Sequence, residues 1–171
     1  MKKALLLFAL CVLGGCTHPA PTRYQILSIE QFRQIKSNPK RHAGRLCAFG
    51  GRVINAEETQ GQIVFQILVQ NRIAAPGDDV AGEGPLSVVY SGEKTTVAEG
   101  HQVKVLGYMH RPSIGKDLFG TTVSALTMDA IAVYDHFTGY AFHVSSEEDL
   151  FNKWKTGEPL IPAEAKRTNR K

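Results

Sequence analysis

The sequence predicts a mainly β protein, a five-stranded OB-like Greek-key barrel with a short N-terminal helix and a C-terminal helix. Three observations predict it. Between positions 45 and 134 apolar and polar residues alternate in five runs separated by turn residues, with no helical period of comparable length. The first run carries Gly50-Gly51 in its interior, which suggests a bend or bulge of the kind that curls a strand into a barrel. Five strands also suit a small barrel better than a sandwich, which usually has about seven or more. The full 171 residues suffice for one domain plus an appendage.

Ahead of the strands, Ser28-Ile29-Glu30-Gln31 has the Ser-x-x-Gln form of a capping box, and Ile29, Phe32 and Ile35 recur every third residue, so a helix is expected over about 28–37. Asn38-Pro39 is expected to end it. The first strand, Arg45 to Ala56, turns Cys47, Phe49, Gly51 and Val53 to one side. The second, Gly61 to Asn71, points Ile63, Phe65, Ile67 and Val69 inward against Gln62, Gln66 and Gln70. A polar connection, Pro76 to Gly84, leads to the third, Pro85 to Ser91. His101 to His110 and Thr121 to Tyr134 form the fourth and fifth. Ser146-Glu147-Glu148-Asp149 then opens a helix through Leu150, Phe151 and Trp154, with acids in its first turn and Lys153 and Lys155 near its end, matching the helix dipole. Gly157 stops it.

The amino terminus reads as an address. Met1-Lys2-Lys3 is a short positive region, Ala4 to Leu13 is uninterruptedly apolar, and Gly14-Gly15 sets two small residues before Cys16. The apolar run falls well short of the roughly 20 residues a spanning helix needs. Removal of Lys2 and Lys3 with this leader takes the formal charge of +4 down to +2, too small a surplus to suggest a nucleic-acid partner. Leu13-Gly14-Gly15-Cys16 resembles the lipobox of bacterial lipoproteins, which implies that Cys16 is the lipidation site and the first residue of the mature chain. Thr17 stands where Gram-negative lipoproteins carry Asp as an inner-membrane retention signal, so the resemblance implies the outer membrane. The expected organisation is a lipoprotein signal peptide over 1–15, a lipidated tether over 16–24, the barrel domain with its flanking helices over 25–157, and a mobile basic tail over 158–171. With Cys11 lost and Cys16 alkylated, Cys47 is the one remaining thiol, and it is expected to be buried and inert.

Ala48-Phe49-Gly50-Gly51-Arg52-Val53-Ile54-Asn55 is similar to the first-strand signature of the Slp family of outer-membrane lipoproteins. Val103-Lys104-Val105-Leu106-Gly107 and Met128-Asp129-Ala130-Ile131-Ala132-Val133-Tyr134 resemble that family's later and closing strands, so with the lipobox the resemblance covers about residues 1–136. It implies an anchored, starvation-associated envelope protein and transfers no catalytic residue. The sequence departs from the family after Tyr134, where a Trp and a longer aromatic-rich tail are common.

Residues able to carry chemistry are scattered. His101, His110, His136 and His143 lack the close pairing of zinc ligands, and no metal or other cofactor is expected. Glu99, Asp129 and Asp135 read as solvated loop acids. Ser91-Gly92 and Ser113 lack a nucleophile-elbow frame, and Gly82-Glu83-Gly84 lacks the rest of a phosphate loop. Phe65, Tyr90, Tyr108 and Phe119 could form a stacking platform, but Arg52, Arg72 and Lys104 are too sparse to line a nucleic-acid groove, so core or rim positions are expected for these aromatics. The expected function is that of a non-enzymatic outer-membrane lipoprotein facing the periplasm. It would meet the bilayer through acylated Cys16, serve an envelope structural or assembly role with envelope protein partners, and bind no nucleic acid. The alternative is an OB-like binding module for a small ligand, glycan or peptide.

Overall fold

The computed structural model describes residues 24–59, 61–71, 81–92, 96–116 and 122–160. Among the described residues seven strands form: β1 (Leu46–Thr59), β2 (Gln62–Gln70), β3 (Glu83–Tyr90), β4 (Gln102–Met109), β5 (Ser113–Lys116), β6 (Thr122–Asp135) and β7 (Ala141–His143). Three helices accompany them, α1 (Ile29–Ser37), α2 (Pro39–His42) and α3 (Glu148–Thr156), the last entered through a 3-10 turn over Ser145–Glu147.

Five of the strands close on themselves. β1 pairs antiparallel with β2 and with β4, β2 with β3, and β4 with β6. Closure comes from β3 and β6, which run parallel with Leu86 opposite Leu126 and Tyr90 opposite Ala130. This is the OB-like Greek-key barrel the alternation predicts. β5 and β7 are short antiparallel additions to β6 that the sequence reading missed, each too brief for a period to show.

The inward positions of β1 and β2 are buried as expected: Cys47, Phe49, Val53, Phe65, Ile67 and Val69 are at most 2 % exposed. Leu86, Val88, Tyr90, Val103, Val105, Met128 and Val133 complete the interior. Helix α1 adds Phe32 and Ile35 to this core, with the Phe32 ring meeting Phe49 edge-on at 5.3 Å. Its capping box forms: Ser28 Oγ accepts from the Gln31 amide at 3.3 Å, and Gln31 Oε1 accepts from the Ser28 amide at 2.9 Å. On the outer face of α1, Arg33 meets Glu83 of β3 at 2.8 Å, an exposed pair worth about 0–1 kcal/mol. Pro39 ends α1 and also opens α2 from its first position, where its missing amide leaves no bond unmade.

Two local expectations shift. The bulge of β1 falls between Val53 and Asn55 and not at Gly50-Gly51. Gly51 is instead a point of close approach, where a Cβ would stand 2.2 Å from the Leu68 carbonyl oxygen of β2. The barrel also has a second core on its outside. Ala48, Leu106, Ile131 and Ala132 point outward from β1, β4 and β6 and are covered by Phe151 and Trp154 of α3 and by Tyr24. The central strands are thus buried on both faces where α3 covers them, and there Val105–Met109 of β4 and Ala130–Tyr134 of β6 carry no charged residue.

Candidate functional site

The external core ends in an aromatic seam at Tyr24, the first of the described residues. Tyr24 is 4 % exposed and lies against Trp154, ring centroids 4.5 Å apart, and against Tyr134, stacked at 4.6 Å. Trp154 Nε1 donates to the Gln25 carbonyl at 2.8 Å, and Lys104 Nζ donates to the Tyr24 carbonyl at 3.2 Å. Burial, reinforced by the neighbouring Tyr134, pushes the Tyr24 phenol up to about 12, and burial pulls Lys104 down. The entering segment is therefore clamped on both sides of its backbone at the root of the β6–β7 hairpin.

The seam continues into that hairpin. The His136 ring meets Tyr134 edge-on at 4.6 Å. Its pKa is lowered, first by desolvation and then by Lys104, against the opposing pull of Asp135. Asp135 itself, expected as a solvated loop acid, is buried at 0 % exposure. One carboxylate oxygen accepts from the Phe137 amide at 2.8 Å and the other meets His101 Nδ1 at 2.8 Å. The Asp135 main chain exchanges two further bonds with the turn, donating to the Tyr140 carbonyl and accepting from the Gly139 amide, each at 2.9 Å. The His101 ring stacks on Phe137 at 4.6 Å. One oxygen of Asp135 thus orients His101, as in a base–orienter pair, and the other holds the turn through the Phe137 amide.

Other sequence candidates lie elsewhere. His110 pairs with Asp129 where β4 ends, both half exposed. The His143 ring stacks on Phe151 at 4.4 Å. Among the described residues no three His, Cys, Asp or Glu gather as metal ligands. Phe65 and Tyr90, each 1 % exposed, are spent in the barrel interior, and Tyr108 packs against the external core. Glu99 and Arg52 are exposed, as is Ser91. Ser113 lies in β5, and Gly82 and Gly84 flank the start of β3. Cys16, Arg72 and Phe119 lie outside the described residues. So do most of the Pro76–Gly84 connection, the residues expected to form the leader and the tether before Tyr24, and the basic residues after position 160. Near the end of α3 a shallow depression is lined by Leu150, Lys153, Glu158, Pro159 and Leu160.

Cys47 is 2 % exposed, and burial raises its thiol to about 11, outweighing the opposing effect of Arg45. The thiolate is the reactive form. Native protein should therefore resist a thiol-specific disulfide reagent at mildly alkaline pH and react fully once unfolded; rapid labelling of the folded chain would contradict the buried assignment.

Taken together, the geometry defines a small OB-like barrel whose incoming chain is fixed at an external aromatic seam. The chain belongs to the Slp family of outer membrane lipoproteins, whose family model matches residues 13–116, more than half of its length. The Ala48–Asn55 and Val103–Gly107 segments lie inside that span and Met128–Tyr134 lies beyond it. It is thus an outer-membrane lipoprotein. No curated protein matches the chain. Among solved structures it is similar to Rim1, a mitochondrial single-stranded DNA binding protein from S. cerevisiae. That likeness has 13 % identity, covers 54 % of this chain and 95 % of the other, and has a TM-score of 0.39. It is also similar to Schizosaccharomyces pombe Pot1pC bound to ssDNA, at 15 % identity over 67 % of this chain and 88 % of the other, with a TM-score of 0.29. Likenesses this distant carry nothing about what the chain binds; the barrel assignment rests on its own strand pairing.

Proposed function

We propose that the chain is fastened through acylated Cys16 and holds its barrel in the periplasm as a non-enzymatic structural or assembly component of the envelope. The observation that carries the proposal is that Leu13-Gly14-Gly15-Cys16 falls within the span matched by the lipoprotein family. In this reading residues 1–15 are cleaved away, the Cys16 thiol takes a diacylglycerol and its freed amine takes an acyl chain. One chain gives only marginal membrane binding, whereas several give a stable anchor, each buried methylene contributing about 0.8 kcal/mol.

The fold supports a non-catalytic role through how it uses its reactive groups. Cys47 is withdrawn into the core, and Asp135, the carboxylate beside His101, is fully buried with its other oxygen bonded to the Phe137 amide. Likewise Phe65 and Tyr90, the ring-bearing residues of β2 and β3, fill the interior and leave the outward positions of those strands to Gln62, Val64, Gln66, Leu68, Ser87 and Val89.

Substitution of the anchor tests the proposal. Cys16→Ser is expected to give a longer, unprocessed precursor that takes up no labelled fatty acid and is lost from the outer-membrane fraction. Normal processing and labelling of that variant would overturn it.

A further inference from the structure

We propose that the β6–β7 hairpin docks into the bilayer surface, seating Phe137 and Tyr140 at the boundary between lipid headgroups and acyl chains beside the anchor. This inference rests on the proposed acylation of Cys16 and adds a second, non-covalent membrane contact that fixes the barrel's orientation.

Two side chains stand out on the described surface. Phe137 is 76 % exposed and Tyr140 74 % exposed, while the next large apolar residue, Ile54, reaches only 37 %. Both sit on one turn, and that turn is held with unusual care for a surface loop. The Asp135 carboxylate and main chain make the bonds described above, the His136 amide donates to the Gln102 carbonyl at 2.9 Å, and the Tyr140 amide donates to Thr138 Oγ1 at 3.3 Å. One face of Phe137 rests on His101 and most of the side chain remains in water. A buried carboxylate thus orders a loop whose outward product is a pair of solvated aromatic rings. Tyr140 has the amphipathic ring that concentrates at membrane interfaces, and Phe137 is a wholly apolar ring of the kind interfacial segments bury at the headgroup–acyl boundary.

The place where the described chain begins selects the lipid surface as the occupant. Tyr24 stacks on Tyr134, one residue before Asp135, so the tether leaves from the root of this hairpin. From Cys16 to Tyr24 a fully extended chain reaches roughly 28 Å, and a flexible one averages about 16 Å. An anchor that close presents the bilayer to the hairpin at an effective concentration of roughly millimolar. Two rings that would hold a free protein only fleetingly are then enough to keep one face down.

Acylated protein carrying Tyr140→Trp, purified from membranes and reconstituted into phosphatidylethanolamine–phosphatidylglycerol vesicles containing lipids brominated near the headgroup, tests this. The native Trp154 is fully buried and provides a constant background. The expected result is a blue shift and loss of the added emission for Tyr140→Trp, with neither for Arg111→Trp, an exposed site past the other end of β4. If the Tyr140→Trp protein floats with the vesicles and shows neither change, the acylation stands and hairpin docking is overturned. Cross-links joining two copies through this turn in place of quenching would likewise overturn it. Protein that fails to float and has an unmodified Cys16 refutes the anchor, and this inference with it.

Discussion

Trp154→Ala is expected to lower the thermal unfolding midpoint by about 12–20 °C. The indole is fully buried between Tyr24 and the outward faces of β1, β4 and β6, and it is the largest of the buried side chains. Truncation of a buried Trp typically costs about 3–5 kcal/mol through lost transfer energy and the cavity left behind. For a domain of this size each kcal/mol moves the midpoint by about 4 °C. The same change strips the Gln25 carbonyl of its donor and Tyr24 of its ring partner, so the segment joining tether to barrel should loosen as well. Trp154→Phe separates the two effects: it keeps most of the apolar volume and loses the N–H bond, for roughly 1 kcal/mol. A midpoint for Trp154→Ala close to the parent's, read by circular dichroism, would mean that α3 is not part of the cooperative fold.

Gly51→Ala should be nearly as damaging although it adds a single methyl group. Its Cβ would lie 2.2 Å from the carbonyl oxygen of Leu68 and 2.9 Å from the carbonyl carbon, both of them backbone atoms of the neighbouring strand. Neither can rotate away, so β1 and β2 must part where Gly51 faces Val69. Overpacking in a filled core costs about 1–3 kcal/mol even when side chains can yield, and here the ladder itself must give. About 3 kcal/mol or more is expected, read as a fall in the urea midpoint. Gly44→Ala is the matching control. Gly44 has φ +77° with nothing within 4 Å of the added carbon, so only left-handed backbone strain applies, about 1–2 kcal/mol. Equal losses at the two positions would contradict the close-approach argument.

These two sites also mark what the sequence could and could not reveal. The barrel is legible because β2 alternates from Gln62 to Val69, only Gln70 at its end being buried against the pattern, and because a helical stripe such as Ile29, Phe32 and Ile35 follows a capping box. The external core was harder to see. Ala48, Leu106 and Ala132 occupy positions that alternation assigns to solvent, and only contact with α3 and Tyr24, distant in sequence, explains their burial. Tyr24 reads as the end of the tether because its immediate neighbours, Arg23 and Gln25, are polar. Asp135 read as a loop acid because a carboxylate is expected to be exposed unless paired, and its partner His101 is 34 residues away. At Gly50-Gly51 local sequence suggests a bend, whereas the backbone of Leu68 shows why the strand demands glycine at position 51.

Hairpin docking and the envelope role both depend on the thioether proposed at Cys16. Intact-mass analysis of the mature protein from its host's outer membrane tests that bond most directly. The account predicts a chain beginning at Cys16 and carrying both a diacylglyceryl group on sulfur and an acyl group on nitrogen. A chain that retains residues 1–15, or one with a free sulfhydryl at Cys16, would contradict it.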